Sequence, residues 1–511
     1  MNRTTLSLIA AATALAAVTG FAALTAPESP AADDSARAAA RLPVERTSLL
    51  CPSPSTSDLA ETTYSSFTPV TEGTENRGSA ELLPARADGD EKDGDGKDGD
   101  GDEDERDGES EKPDAGGAKP VLKPGEPGRQ ATGDVSGGEA PALIGTADGR
   151  YAPGWTVQQT TEVTAGTGRG LQGVTCGAPD TEFWFPGTST AGDRTDYVHL
   201  TNPDDSAAVV DIELYGKDGA LESTVGEGIT VRGRSSEPIL LSTLTEERQS
   251  DVTVHVVVRS GRVGAAVQAL DDKLGGDWLA ASADPAGRLV LPGIPKDATE
   301  VRLVAFAPGD SDADLGIRLA SPTGSITPAG HETLHVKGGM TAAVDLGDVT
   351  RGEPGSLVLT PTDRAVPVVA AVRVLRGKGD AQESAFIPAA RPVSGRATAV
   401  GNTAKGTTLS VTSTEATARI KITASPTGEG GTPATKTYTI KRGTTQDITP
   451  PVPEGAKGSY ALTIEPETDT PVYATRTLTS GKTDFTSQTL PDDRGMVAVP
   501  KARQDLSVLQ K

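Results

Sequence analysis

A short alternating segment occurs three times in this chain and limits the folds that are open to it. The copies span residues 228–233, 333–338 and 437–443. Each copy ends on a β-branched residue and a cation and then breaks on glycine, as a strand does where it enters a turn. Matched positions in successive copies are 105 and 104 residues apart, about the length of one immunoglobulin-like or fibronectin-type sandwich. The period predicts an all-β chain with three tandem β-sandwiches.

Two further strand patterns recur with the same period. Each repeat is predicted to open on an apolar strand that ends in proline, at 183–186, 289–292 and 385–388. Each is predicted to close on a longer apolar strand, at 264–270, 369–375 and 472–478. These patterns define sandwiches at 183–275, 285–378 and 384–479, followed by a C-terminal tail at 480–511. The spacing alone does not determine the order of the strands within a sandwich.

The N-terminus has the layout of a secretory signal. Arg3 precedes an apolar run from Leu6 to Leu24, which a polar stretch follows. We therefore predict residues 1–26 to be a signal peptide or, if uncleaved, an N-terminal membrane anchor, and residues 27–44 to be a spacer. The protein is expected to be secreted or to lie on the extracellular face of the cytoplasmic membrane.

An acidic segment separates two groups of strands near the N-terminus. Strands are predicted within 45–70, and a further β region at 140–182 is predicted to join the first sandwich. Between Asp88 and Asp114 the chain has 15 acidic and 4 basic residues, and from 71 to 139 it has little apolar surface to bury. We predict that 71–139 is a disordered linker. The net charge of −23 disfavours nucleic acid and anionic lipid as partners.

Two cysteines, Cys51 and Cys176, are present. In an exported chain two thiols usually pair, so a disulfide is expected, with the strand before Cys51 beside the strand before Cys176. The bond would close a loop that contains the whole acidic segment.

Several of these features together resemble a known family. They are Leu50-Cys51-Pro52, the low-complexity interval, and Val174-Thr175-Cys176 leading into Trp184-Phe185-Pro186-Gly187 and β-rich repeats. The chain in this respect resembles the actinobacterial secreted family DUF5719. The resemblance implies a location in an actinobacterial envelope, and it brings no activity, substrate or catalytic residue.

The second copy of the repeated segment includes the zinc-protease pattern His331-Glu332-Thr333-Leu334-His335. That chemistry needs a helix, on which residues four apart share one face. In a strand four residues span about 13 Å, and the sister copies have Thr230 and Thr439 where His335 stands. We therefore predict a strand here, with no metal site, no cofactor and no catalytic residue.

Two further features of the sequence are candidates for ligand contact. The acidic run around Asp98 lacks the glycine at the sixth position and the flanking helices of a calcium-binding loop, because Glu103 stands at that position. Trp278 follows two glycines and an aspartate, in what the pattern predicts to be a loop between repeats, and it is the possible ligand contact.

The sequence as a whole predicts a non-catalytic surface protein. The sandwiches would act as a spacer or an adhesion-type array that binds a cell-envelope protein or glycan. The alternative is an envelope carbohydrate-binding or enzyme-accessory subunit, in which Trp278 would stack on a sugar. In both cases the membrane would be contacted only through the N-terminal segment.

Overall fold

The structure is a computed structural model that describes residues 40–86 and 119–499, apart from residues 224, 429 and 482. The predicted signal segment 1–26 and most of the spacer 27–44 therefore lie outside the described residues. In the described part the chain forms strands and three short 3-10 turns, and none of its helices is long and apolar enough to cross a membrane.

The chain divides into two compact units. The smaller unit comprises residues 1–42 and 497–511, and its described residues belong to a two-stranded sheet of β1 (Ala40–Pro43) and β35 (Met496–Val499). The predicted C-terminal tail at 480–511 thus contains a strand at Met496–Val499. The larger unit, residues 43–496, contains four β-sandwiches.

Sandwich 1 is built from the two strand groups on either side of the acidic segment. One sheet has the order β5-β3-β7-β8 and the other has the order β2-β6-β4. The strands are β2 (Arg46–Cys51), β3 (Ala60–Phe67), β4 (Ala80–Pro84), β5 (Ala131–Ser136), β6 (Leu143–Asp148), β7 (Thr156–Val163) and β8 (Gly170–Thr175).

Sandwich 2 has the sheets β14-β10-β16-β17 and β12-β11-β15-β9, with β13 also paired to β11. Its strands are β9 (Glu182–Thr188), β10 (Arg194–Thr201), β11 (Ala208–Gly216), β12 (Gly219–Ala220), β13 (Ile229–Val231), β14 (Ser236–Leu240), β15 (Val252–Ser260), β16 (Gly264–Asp271) and β17 (Gly275–Leu279).

Sandwich 3 has the sheets β23-β19-β25-β26 and β18-β24-β20-β21, with β22 also paired to β20. Its strands are β18 (Leu289–Ile294), β19 (Ala298–Phe306), β20 (Ala313–Ser321), β21 (Gly324–Ile326), β22 (Thr333–Val336), β23 (Thr341–Asp345), β24 (Gly355–Pro361), β25 (Val369–Arg376) and β26 (Glu383–Pro388).

Sandwich 4 has the sheets β31-β28-β33-β34 and β27-β32-β29-β30. Its strands are β27 (Ala397–Asn402), β28 (Thr407–Ser413), β29 (Ala418–Ser425), β30 (Ala434–Ile440), β31 (Thr444–Ile448), β32 (Tyr460–Pro466), β33 (Tyr473–Ser480) and β34 (Asp484–Leu490).

The all-β, tandem-sandwich prediction is confirmed, and the four sandwiches share one strand order. The sheet that ends on β8, β17, β26 or β34 is called the axial sheet below, and its partner is called the peripheral sheet. In an immunoglobulin constant domain the first two strands share a sheet. Here β9 and β10 lie in different sheets, so the order differs from that of immunoglobulin domains.

The predicted number of sandwiches is too low by one. The repeated segment that marks the other three forms the peripheral strands β13, β22 and β30, and sandwich 1 has no equivalent strand in its described residues. The predicted linker 71–139 is also wrong at both ends, because β4 and β5 are ordered strands there. Leu82 and Leu122 pair across the gap and are both buried. Residues 87–118 lie outside the described residues.

The predicted boundaries of the three later sandwiches are corrected at their ends. Residues 385–388 do not open the last repeat but lie in β26, which pairs with β25 and closes sandwich 3. An apolar run that ends in proline occurs in the opening strands β9 and β18 and also in the closing strand β26. The pattern therefore could not distinguish an opening strand from a closing one. Sandwich 2 likewise extends to Leu279, and sandwich 4 runs from β27 to β34.

The four sandwiches of the larger unit close into a ring. Strand β8 contacts β17, β17 contacts β26, β26 contacts β34, and β34 contacts β8. The opening strand of each sandwich packs on the axial sheet of the next. Thus β2 contacts β16, β9 contacts β25, β18 contacts β33, and β27 contacts β7, which returns the circuit to sandwich 1.

Apolar clusters and hydrogen bonds occupy every seam of the ring. Between sandwiches 1 and 2 the cluster is Val174, Ala266 and Trp278, and between 2 and 3 it is Trp184, Phe306 and Val369. In the seam between sandwiches 3 and 4, Tyr473 of sandwich 4 packs against Val290, Ala320 and Val358 of sandwich 3. The closing seam contains Phe67, Val400 and Ala461.

The closing seam between sandwiches 4 and 1 also has buried polar contacts. The backbone N–H of Val400 donates to Gln158 Oε1 at 2.8 Å, and the backbone N–H of Gly401 donates to Gln130 Oε1 at 2.8 Å. The N–H of Gln130 donates to the carbonyl of Pro426 at 3.1 Å. Residues more than 240 positions apart are therefore joined by direct hydrogen bonds.

Candidate functional site

The four closing strands meet on the axis of the ring, and glycines let them approach. A Cβ added to Gly173 in β8 would lie 2.7 Å from Cγ2 of Thr486 in β34. A Cβ added to Gly276 in β17 would lie 2.8 Å from Cα of Gly168. Such distances are shorter than van der Waals contact, so only glycine fits at these positions.

One carboxyl group, that of Asp277, connects the sandwiches at this point. Asp277 lies in β17 and is fully buried. Its Oδ1 accepts hydrogen bonds from the backbone N–H of Gly173 and from Thr486 Oγ1, both at 3.0 Å. The backbone N–H of Phe386, in β26, also donates to this carboxyl. Sandwiches 1, 3 and 4 thus all bind a side chain of sandwich 2.

Burial determines the protonation of this group. Loss of hydration raises the pKa of Asp277 well above its usual range, although the N–H groups of Gly173 and Trp278 and the hydroxyl of Thr486 act in the opposite direction. A protonated carboxyl can still accept these hydrogen bonds and can donate one more.

A second junction lies where the hairpins before β8, β17 and β26 come together. Arg169 Nη2 donates to the carbonyl of Lys273 at 3.0 Å and to that of Gln382 at 3.3 Å, and it is 3.4 Å from Glu383 Oε1. One guanidinium thus joins sandwiches 1, 2 and 3. Burial raises the pKa of Glu383 to about 7, the charge of Arg169 opposes this shift, and Asp484 adds to it.

Sandwich 4 contributes a fully buried cation, Arg476. Its guanidinium donates to the carbonyl of Val400 and to Oε1 of Gln488. Burial lowers the pKa of Arg476 to about 9, because the charged form has lost its hydration.

These buried and half-buried ionisable groups bind other parts of the same chain. Asp277 is inaccessible to solvent, and the contacts of Arg169 and Arg476 described above are to carbonyls and side chains of the ring. In the ranges that the structure describes, no group of three or more His, Cys, Asp or Glu residues could hold a metal ion. The axis is therefore a structural hub that holds the sandwiches together.

Trp278, the predicted ligand contact, is placed by the structure at a seam. It lies in β17 instead of a loop, it is 2% exposed, and it packs against Val174 and Ala266. The prediction of an accessible aromatic platform is wrong at this residue. Gly275 and Gly276 give the segment the composition of a turn. In the structure glycine is needed there because neighbouring parts of the chain approach β17 closely.

The zinc-protease pattern lies on the peripheral sheet of sandwich 3. The predicted strand is confirmed as β22, which contains His335, while His331 lies in the turn before it. His335 Nδ1 is 2.8 Å from Asp314 Oδ1 and its Nε2 is 3.7 Å from Asp312 Oδ2. The imidazole therefore faces carboxylates of the neighbouring strand.

The predicted disulfide is confirmed. Cys51 at the end of β2 and Cys176 just after β8 are bonded, and the adjacent residues Leu50 and Gly177 form a β-bridge. The bond joins the peripheral and axial sheets of sandwich 1 beside its contact with sandwich 2.

Sequence reasoning did not identify Asp277, Arg169 or Glu383. Asp277 was visible only as a polar residue beside glycines. The packing of one sandwich on the next did have a signal in the sequence, the nearly unbroken apolar run at 369–375. Such a run is typical of a strand that is buried on both faces. That signal indicates a neighbour on the second face but does not say which one.

A shallow, open groove lies at the edge of sandwich 2. It is lined by Val225, Ile229, Ile239 and Leu244, with Arg232 and Glu237 at its rim. Val225 is 56% exposed. The groove contains no cluster of nucleophilic or ligating groups among its described residues.

The fold and the hub define a class of repetitive β-sandwich protein whose four units close on themselves. The model of a family of unknown function, DUF5719, matches residues 131–451. The chain belongs to the DUF5719 family, and the match begins at β5 of sandwich 1 and ends within sandwich 4. No curated protein matches the sequence.

Proposed function

We propose that this chain is an exported, non-catalytic protein of the cell envelope, whose ring of four sandwiches is a rigid spacer or binding module. The observation that carries the proposal is the use of the ionisable groups of the hub. Asp277, Arg169 and Glu383 bind the sandwiches to one another, and Arg476 bonds within sandwich 4, so their environments are explained by the fold and its assembly and need no reaction.

The disulfide and the N-terminal sequence support export. A bond between Cys51 and Cys176 is stable in an oxidising compartment and is uncommon in the cytosol. The apolar run from Leu6 to Leu24 has the composition of an export signal. Membership of DUF5719 is consistent with an actinobacterial envelope location, as the resemblance implied.

A binding role would use the outward surfaces of the ring. The peripheral sheets include exposed strands such as β30, and loops on a rigid scaffold are common binding surfaces. The partner would be a protein or glycan of the envelope. The burial of Trp278 removes the residue on which the carbohydrate-binding alternative rested.

Location is tested by labelling intact cells of the source organism with a membrane-impermeant amine reagent, followed by alkylation of free thiols. We expect the protein to be labelled in intact cells and to have no thiol that reacts before reduction. Labelling only after cell lysis, together with two free thiols, would contradict export.

Binding is tested with purified protein and isolated cell envelope that has been stripped of its own copy. We expect saturable binding that is unchanged in a variant carrying His331→Ala and His335→Ala. Stoichiometric zinc in the purified protein that is lost in that variant would show that the non-catalytic assignment is wrong.

A further inference from the structure

The outer edges of the four peripheral sheets are equivalent in position but differ in protection. In sandwich 1 the edge strand β4 is covered, since Leu82 exchanges backbone hydrogen bonds with Val121 and Leu122, both at 2.9 Å. In sandwich 2 the edge is divided between β12 and β13, and in sandwich 3 between β21 and β22. Covered or short edges do not easily accept another strand.

Sandwich 4 has an unbroken edge strand. Strand β30 pairs with β29 over seven consecutive residues without a register shift, from Ala418 opposite Ile440 to Ala424 opposite Ala434. It is the last strand of its sheet, and the described turn and loop hydrogen bonds include none from its backbone. Thr435, Lys436, Thr437 and Thr439 are exposed. This edge therefore presents free N–H and C=O groups along its length.

The residues of β30 favour strand pairing. Thr, Tyr and Ile have high β propensity, and the strand has no proline or glycine. Lys436, which could block an edge, instead lies over the ring of Tyr438, with Nζ 5.1 Å from the ring centroid. The ammonium group is thereby held along the face of the strand.

The sequence of β30 is complementary to itself in one antiparallel register. With Thr437 opposite Thr437, Lys436 stands opposite Tyr438, and Thr435 stands opposite Thr439. A cation beside an aromatic ring is attractive, and no like charges meet, because Lys441 would face Pro433 and Arg442 would face Thr432. In the alternative register with Lys436 opposite Lys436, two ammonium groups would face each other, which is unfavourable.

We propose that β30 pairs with the β30 of a second copy of this chain, antiparallel and with Thr437 opposite Thr437. The two peripheral sheets then form one eight-stranded sheet, and two rings lie edge to edge. The occupant is a second copy because the complementary groups, Lys436 and Tyr438, are both in the strand itself. An interface of this length is small, and small interfaces are usually weak and transient.

The register makes a direct prediction for disulfide trapping. Cys51 and Cys176 are already bonded, so an introduced cysteine is the sole free thiol of the described residues. In Thr437→Cys two cysteines would face each other with Cα atoms about 5 Å apart, within disulfide range. In the matched control Thr435→Cys, the two cysteines would be about 13 Å apart.

Two exposed positions test the same pairing by charge. Thr435→Lys with Thr439→Lys places lysine opposite lysine, and we expect dimerisation at least tenfold weaker than in the natural chain. Thr435→Glu with Thr439→Lys places opposite charges across the pair, and we expect dimerisation to be kept or strengthened. Sedimentation equilibrium over about 10 to 300 µM suits a weak interface, and thermal unfolding checks that both variants fold equally.

The expected outcome is a monomer–dimer equilibrium that follows the charge pattern, with a disulfide-linked dimer in Thr437→Cys and far less in Thr435→Cys. A chain that stays monomeric throughout this range would overturn the proposal. So would a dimer that forms equally in both charge variants, or one in which the two cysteine variants cross-link at the same rate, because each result would place the contact on another surface.

Discussion

The strands on the axis of the ring and the strands at its outer edge have similar lengths but opposite surroundings. Strand β17 is buried along all five residues, by its own sandwich and by three others. Strand β30 is buried only at Ile440 and has neighbours on one side. The comparison teaches that assembly of the ring buries the closing strands at the axis and leaves edge strands such as β30 accessible.

The composition of the two regions follows from this difference. Axial strands have glycine where another strand approaches and apolar residues on both faces, as at Gly173 and Val369. Peripheral edge strands alternate polar and apolar residues, as one-sided burial requires. Substitutions should therefore have large effects at the axis and small effects at the edge.

The largest effect is expected for Trp278→Ala. The change removes a large side chain that fills the seam between sandwiches 1 and 2, and such truncations destabilise proteins by about 3 to 5 kcal/mol. Urea unfolding measures the change, and Trp278→Phe should restore part of it. A loss below about 1 kcal/mol would mean that the seam does not form.

Gly173→Val is expected to destabilise the protein by about 3 kcal/mol, because its Cβ would overlap Thr486 of sandwich 4 and overpacking has this order of magnitude. The matched control is Gly192→Val, since no atom lies within 4 Å of the Cβ position there. Equal unfolding midpoints for the two variants would break the comparison between axis and edge.

Glu383→Gln tests the burial of Glu383 at the axis through the pH dependence of stability. The folded state raises the pKa of Glu383 from 4.5 to about 7, so folding favours the protonated form. The natural chain has the full stabilisation below pH 4.5 and loses it as the pH rises towards 7. The variant cannot ionise, so its stability relative to the natural chain should rise over this interval, on the order of 1 kcal/mol.

The measurement for Glu383→Gln is the free energy of unfolding at pH 4.5 and at pH 7.5. Asp277 remains in both proteins and serves as a common background. A relative stability that is constant or falls with pH would contradict burial of Glu383 at the hub.

The smallest effect is expected for His335→Ala. The imidazole is on an exposed strand and its carboxylate partners are hydrated, so its contacts should contribute no more than about 0.5 kcal/mol. Thermal unfolding with and without added zinc provides the measurement. A zinc-dependent rise in the melting temperature of the natural chain, absent in the variant, would make this residue functional.

The strands and the disulfide could be predicted from sequence because they depend on local pattern and on the pairing of two cysteines. Sandwich 1 could not be predicted, since the acidic segment divides its strands into two groups and its described residues lack the strand that marks the other three sandwiches. The hub could not either. Asp277 is defined by donors at positions 173, 386 and 486, and no local pattern relates residues so far apart.

The contact between sandwiches 4 and 1 distinguishes a closed ring from an open array of sandwiches. Small-angle X-ray scattering of the full chain tests most directly whether this contact forms. A compact unit of about 450 residues has a radius of gyration of about 22 Å. Four sandwiches in an open row would have a radius above about 40 Å. We predict a value close to the compact one, and a value near that of the open row would contradict the ring.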